Sequence, residues 1–336
     1  MLKDQLDGID HTGGNMTVLE LYKKHIRLNA QVKPSTERGR ERRIKMLEND
    51  PLGSCRICNV KLSDAKEWAM RQQEKGFAYH TIRTDKRALK AAFYTAISDD
   101  CIRKNPFNFK LTDVICDDTE VKTPLNAKQE KSLLEFAKAD KVYRAYYDEL
   151  VILLGTGLRI SELCGLTIAD VDLEKNIISV DHQLLRTDKI GRYVGDPKTR
   201  CGIRQIYMGP EVQEAFRHVL ARPHVGNIVV NGYTDFLFRA RTGNPRTATD
   251  YDNIFRHMRE KHAKKYGPVL PENMTPHTMR HTFCTNMAHA GMNPKALQYV
   301  MGHADIKITM GYYAHTDPVA ATDNMRRTLE GPASVA

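Results

Sequence analysis

The sequence predicts a mainly α-helical chain with a small antiparallel β-sheet, an α+β fold, on three observations. Apolar residues recur at helical spacing in four segments of the first hundred residues. Helix-start signals, Asn126 with Gln129 and Thr275-Pro276, open further helices in the second half. Two short runs, Ile177-Ile178-Ser179-Val180 and Cys201-Gly202-Ile203-Arg204-Gln205-Ile206-Tyr207, read as strands flanking a polar stretch with Gly191, Gly195 and Pro197. At 336 residues and 41% hydrophobic content, there is room for two domains with their own cores.

Residues 1–14 are polar and glycine-containing and read as a flexible leader. Four helices follow within 15–105. The first starts near Met16 with Leu19, Tyr22 and Ile26 on one face, and the second starts at Ser35. The third runs from Ser63 to Glu74 and stops before Gly76, and the fourth runs from Tyr79 to Asp99. The second carries Arg38, Arg40, Arg42, Arg43 and Lys45. The fourth sets Arg83, Lys86, Arg87 and Lys90 opposite Leu89, Phe93, Ala96 and Ile97. Taken alone, such a charge run is a solvated face. Proline, Asp117 and Asp118 break the periodicity over 106–124, which reads as an interdomain linker; 125–316 forms the second domain. Residues 317–336 form a tail, modestly amphipathic through Val319, Ala320, Met325 and Leu329.

The 51 Lys+Arg against 41 Asp+Glu, a formal charge of +10, draw the chain to polyanions, and charge alone fits RNA, DNA or an anionic membrane. With no stretch of 18 apolar residues and no signal peptide, a cytoplasmic location without a membrane partner is expected. Seven scattered cysteines argue against a disulfide framework. Cys55-Arg56-Ile57-Cys58 has no second ligand pair at zinc spacing, so no metal or other cofactor is expected.

The chemistry sits in short motifs. Arg159 follows Thr156-Gly157-Leu158, where Gly157 marks a turn; Ile160, Leu163 and Cys164 then bury one helix face and leave Arg159 at its mouth. His277 and Arg280 stand three apart in Thr275-Pro276-His277-Thr278-Met279-Arg280-His281, so imidazole and guanidinium share a helix face and can converge on one phosphate. Lys198 lies near the start of the returning strand. His303 follows Met301-Gly302, and Tyr312 and Tyr313 come nine and ten residues later. Each has a bland reading, a solvated arginine or a structural histidine; six in one order do not.

This order and spacing resemble the tyrosine recombinases, the phage integrase family, and most closely its conjugative-transposon integrases, where Met-Gly-His and Tyr-x-His punctuate the C-terminal part. The resemblance implies a site-specific recombinase that cleaves and rejoins DNA through a 3′-phosphotyrosine, integrating or excising a mobile element. It makes 15–105 a core-binding domain whose Arg38, Arg40, Arg42, Arg43, Arg83, Lys86, Arg87 and Lys90 meet DNA, and 125–316 the catalytic domain, the two closing on the duplex as a C-shaped clamp. Tyr313 is the nucleophile, preferred to Tyr312 because Ala314-His315 completes the Tyr-x-His form.

A phenol with a reference pKa near 10 is only about 0.1% ionised at pH 7, a penalty of roughly 4 kcal/mol, so it needs help. By the same resemblance His277 takes its proton, Arg159 and Arg280 hold the non-bridging oxygens, Lys198 protonates the departing 5′-oxygen and His303 bonds the phosphate. Glu162 and His281 are assigned to helix support. The implied partners are double-stranded DNA with specific sites, a homo-tetramer on two duplexes, and an excisionase or DNA-bending protein, with the tail docking on a neighbouring protomer. Too few residues precede Met16 for the arm-binding domain that family members often carry. A type IB topoisomerase uses nearly the same residues. A non-catalytic helix-turn-helix binder, suggested by 276–301, would leave Arg159 and Lys198 unexplained.

Overall fold

The computed structural model describes residues 11–32, 34–120, 123–197, 199–223 and 228–313, with 322, 325 and 326 from the tail. The chain divides into two compact units, Met1–Val121 and Lys122–Ala336. It is mainly helical with small antiparallel sheets, as the sequence predicts. Among the described residues no helix is long and apolar enough to cross a membrane.

The first unit is built on α1 (Val18–Leu28), α2 (Pro34–Glu48), α3 (Leu62–Glu74) and α4 (Tyr79–Ser98). Residues 11–14, expected in a flexible leader, form one helical turn. Thr17 starts α1 with a capping box: its hydroxyl accepts the Glu20 N–H at 3.2 Å while the Glu20 carboxylate accepts the Thr17 N–H at 2.7 Å. The inward faces of α1, α3 and α4 bury Leu21, Tyr22, Trp68, Leu89 and Phe93. Phe107 completes this core, its ring centroid 5.6 Å from Trp68 and 5.3 Å from Phe93. Much of the stretch expected as a linker is therefore packed. Leu111 and Ile115 are buried beside Phe107, and the Asp118 carboxylate accepts the Tyr79 N–H at the start of α4. The buried Phe107, Leu111 and Ile115 recur every four residues, a signal that the reading of this stretch as a linker, made on its proline and aspartates, passed over.

The basic residues of this unit are in different settings. Arg38, Arg83 and Arg87 are exposed. Arg40 is buried and donates to the Asn29 carbonyl, while Arg42 and Arg43 both bond the buried Asp85 carboxylate. Lys86 donates to the Phe109 carbonyl and Lys90 to Asn108. Several guanidinium and ammonium groups on these helices thus hold the bundle together.

The second unit opens with α5 (Ala127–Ala139), whose start carries the expected reciprocal bonds between Asn126 and Gln129. Among the described residues it continues through α6 (Tyr147–Thr156) and α7 (Ile160–Gly165) into five short strands, β1 (Val171–Asp172), β2 (Ile177–Val180), β3 (Gln183–Thr187), β4 (Gly191–Gly195) and β5 (Arg204–Tyr207). Strand order β1-β2-β5 makes one antiparallel sheet, with Ile178 opposite Ile206 and Val180 opposite Arg204. The polar stretch between β2 and β5, read from the sequence only as the part of a β-hairpin region that its two strands flank, is itself a hairpin in which Leu184 faces Val194 and Arg186 faces Arg192. Its alternation is mostly polar, so no buried face announced it. Residues 201–203, expected as strand, fall outside β5. The unit closes with α8 (Pro210–Leu220), α9 (Ala248–Tyr266), α10 (Pro276–His289), α11 (Pro294–Met301) and α12 (Ile306–Met310).

Candidate active site

Gly157 ends α6 in the left-handed region at φ +64, and a Cβ there would lie 2.4 Å from the Phe283 ring. Only glycine fits that turn without strain. Two residues on, Arg159 is the N-cap of α7, about one-third exposed, as its place at the helix mouth requires. Glu162, one turn later, accepts the Arg159 backbone N–H at 2.9 Å and its guanidinium at 2.7 Å. The sequence offered Glu162 only as helix support; here it also orients the exposed guanidinium.

Glu162 is itself 2% exposed and is shared with Arg204, whose side chain is fully buried. Arg204 spans both carboxylate oxygens, at 3.1 and 2.8 Å. Burial alone would raise the carboxyl, but the Arg204 hydrogen bond and the charges of Arg204 and Arg159 outweigh it, holding Glu162 below the usual carboxylate range. Arg204 was not anticipated as part of the site. A usable signal existed: period-two alternation in Arg204-Gln205-Ile206-Tyr207 puts Arg204 on the inward face with Ile206.

Arg280 comes from α10, which starts at Thr275-Pro276 as expected, the Thr275 N–H donating to the Thr278 hydroxyl at 3.0 Å. It is 2% exposed and donates to the carbonyls of Gly157, at 2.7 Å, and Met301. Burial and the neighbouring Arg159 push it down to about 9, still cationic at neutral pH.

Gly302, at φ +60, closes α11 with a left-handed cap, and His303 follows, 7% exposed. Burial, then Arg280, Arg159 and Arg204, push His303 down to about 4, so its ring is neutral at pH 7. The Thr309 hydroxyl from α12 lies 3.0 Å from its Nδ1. A hydroxyl donating there fixes the tautomer with the proton on Nε2, a donor for a phosphate oxygen.

The two phenols sit on a small cluster of Phe283, Cys284, Ala288, Leu297 and Met301. The Tyr312 hydroxyl is 2.7 Å from His281 Nδ1, whereas the Tyr313 hydroxyl donates to the Met292 carbonyl. Burial pushes Tyr312 up to about 12 against the pull of Arg280, and raises Tyr313 as well. Both phenols are protonated at neutral pH in this arrangement. His277 is exposed and meets His281 edge-on, ring centroids 4.6 Å apart. The structure thus brings Arg159, Arg280 and His303 together with Tyr312 alongside, sets Tyr313 on another contact, and gives His281 a hydroxyl that the sequence did not assign to it. Lys198, Ala314 and His315 lie outside the described residues.

Beside His277 a groove of about 520 Å³ is lined by Arg256, Arg259 and Asn273 among others. Away from it, Asp170, Asp181 and His182 bring metal-ligand atoms within 4.8 Å of one another. Asp170, however, already accepts the Thr167 N–H and hydroxyl at 2.7 Å, and His182 Nε2 faces the Gly165 carbonyl at 2.8 Å.

Two guanidiniums, a neutral imidazole donor and adjacent phenols are the equipment for attacking a phosphodiester with a tyrosine, and on this helical scaffold they define the tyrosine recombinase class of enzyme. Residues 124–318 match the phage integrase family, and the chain belongs to it. The transposase from transposon Tn916 of Enterococcus faecalis is 51% identical over 326 residues, covering 97% of this chain and 80% of that protein. Tyrosine recombinase XerC of Bacillus subtilis is 26% identical over 250 residues, 74% of this chain and 75% of its own. Among solved structures, the Tn1549 transposon integrase, in complex with a circular intermediate DNA, superposes with a TM-score of 0.89 at 55% identity over 93% of this chain and 99% of that one.

Proposed function

We propose that this enzyme is the integrase of a conjugative transposon, integrating or excising its element by cleaving and rejoining DNA through a 3′-phosphotyrosine. The convergence of Arg159, Arg280 and His303 at the end of α11 carries the reading. Arg159 and Arg280 hold the two non-bridging oxygens of the scissile phosphate through planar paired donors, and His303 Nε2–H adds a third bond as charge develops. Lys198 protonates the 5′-oxygen as it leaves. Because the bond energy is kept in the tyrosyl ester, rejoining needs neither ATP nor a divalent ion.

Tyr313 is the nucleophile in this proposal. Tn1549 integrase complexes were solved with an arginine-to-lysine substitution in one case and a tyrosine-to-phenylalanine substitution in another. Those two positions are separated by as many residues as Arg159 and Tyr313, and by one more than Arg159 and Tyr312. To attack, Tyr313 leaves the Met292 carbonyl and gives up its proton to His277, the exposed base of α10. Tyr312 stays on His281 and supports that ring.

The DNA substrate carries specific sites, and a homo-tetramer joins two duplexes in the cytoplasm, with an excisionase or DNA-bending protein setting direction and residues 317–336 docking on a neighbouring protomer. Arg38, Arg83 and Arg87, exposed on α2 and α4, are the phosphate contacts expected to matter most among the eight basic residues there. Arg256 and Arg259, beside His277, join them.

The test is a nicked suicide duplex that traps the covalent adduct, followed by protease digestion and mapping of the nucleotide-bearing peptide. Tyr313→Phe is expected to bind DNA normally and form no adduct. An adduct that persists in it and vanishes in Tyr312→Phe transfers the role. Strand exchange between paired sites, without relaxation of a site-free plasmid, separates a recombinase from a type IB topoisomerase.

A further inference from the structure

The last carbonyls of an α-helix have no partner within the helix and carry its partial negative charge. Those of α11 can be accounted for one by one. The Gln298 carbonyl takes the His303 N–H at 3.1 Å and the Tyr299 carbonyl takes the Gly302 N–H at 2.9 Å, the paired bonds of a left-handed cap. The next three are each taken by an arginine from a different element. Val300 accepts Arg204 Nε at 2.5 Å, Met301 accepts Arg280, and Gly302 accepts Arg159 at 2.9 Å.

Three guanidiniums crowded together repel, and their spacing must come from what they share. Glu162 is common to Arg159 and Arg204, and the end of α11 is common to all three. Arg204, its side chain fully buried, lies on the inward face of β5 opposite Val180. It ties four groups: both Glu162 oxygens, the Gly202 carbonyl at 2.9 Å and the Val300 carbonyl. Gly302 is the close point of this assembly. A Cβ there would lie 2.9 Å from the Cys201 carbonyl, 3.2 Å from the Arg204 guanidinium and 3.4 Å from that of Arg159.

We propose that Arg204 is a positioning residue for strand cleavage, fixing Glu162 and the end of α11 so that the two following carbonyls hold the guanidiniums of Arg280 and Arg159 at the spacing of the phosphate oxygens. It does not itself touch the phosphate. A planar fork is required, because an ammonium cannot span two carboxylate oxygens and two carbonyls lying in different directions. His303 follows directly from the same helix end, so its register is set by the same bonds. The proposal rests on the roles given above to Arg159 and Arg280.

The test is a double-mutant cycle on the full chain with the suicide duplex, reading single-turnover cleavage at saturating DNA alongside DNA affinity. Arg204→Lys is expected to cleave at least about tenfold more slowly while the apparent Kd moves less than about threefold, because ground-state binding is spread over many phosphates. Combined with Arg159→Lys, the slowing is expected to fall clearly short of the product of the two single effects, since both act on the same guanidinium. Parent-like cleavage by Arg204→Lys, a loss of affinity in step with the rate, or a fully multiplicative double variant overturns the proposal. If Arg159→Lys alone cleaves like the parent, it is the role of Arg159 that falls. Should Arg204→Lys not fold, Gly302→Ala takes its place in the cycle with the same expected outcomes, because its Cβ would crowd the guanidiniums of Arg204 at 3.2 Å and Arg159 at 3.4 Å.

Discussion

Arg159 is two-thirds covered, with one side on Glu162 and the Gly302 carbonyl and the other toward solvent, a setting in which shape counts as much as charge. Arg159→Lys keeps the charge and loses the fork, and is expected to slow cleavage at least about tenfold with DNA affinity much less affected. Near-normal cleavage in a single-turnover assay would remove Arg159 from the transition state. His303 makes a second prediction. Its folded value of about 4 lies below the ordinary 6.5, so the unfolded chain binds the extra proton. The stability it contributes is therefore complete above pH 6.5 and is lost as pH falls toward 4. The thermal midpoint of the DNA-free enzyme should drop over that window, and His303→Gln should flatten the drop. A gap between the two proteins that stays constant from pH 7 to 4 argues that His303 is not held neutral.

Among elements, the end of α11 does the most: one left-handed cap and three arginine bonds fix His303, Arg280 and Arg159 relative to one another. In the first unit, the stretch after α4 acts as part of the bundle, since Phe107 is fully buried against Trp68 and Phe93. Phe107→Ala is expected to destabilise that unit by about 3–5 kcal/mol, the range for emptying a buried aromatic site. Denaturant unfolding measures this, and a loss under about 1 kcal/mol would mean that the stretch is the linker its sequence suggested.

On the scale of the whole molecule, the charge of +10 draws the enzyme to a polyanion, and the exposed arginines of α2 and α4 are the contacts proposed above. An enzyme contacting roughly six to ten phosphates loses about three to five decades of affinity between about 50 and 200 mM salt. A nearly flat salt response, measured by fluorescence anisotropy, contradicts that footprint. Cleavage is expected to persist in EDTA, because arginines and a histidine do the charge stabilisation proposed here; abolition by EDTA and recovery with magnesium would overturn it.

Local chemistry was legible in the sequence because each motif carries its own geometry. Thr275-Pro276 starts a helix wherever it falls, three residues put His277 and Arg280 on one face, and Gly157 turns the chain into Arg159. Family membership and the mainly helical fold could be read from those motifs in order. What could not be read is which groups share a proton or a charge, since that depends on residues far apart in the chain meeting. Arg204 looks like one more surface cation until β5 pairs with β2 and turns it inward, and His281 acquires a phenol only when α12 returns beside α10. Buried charges need partners, and the fold alone decides who the partners are.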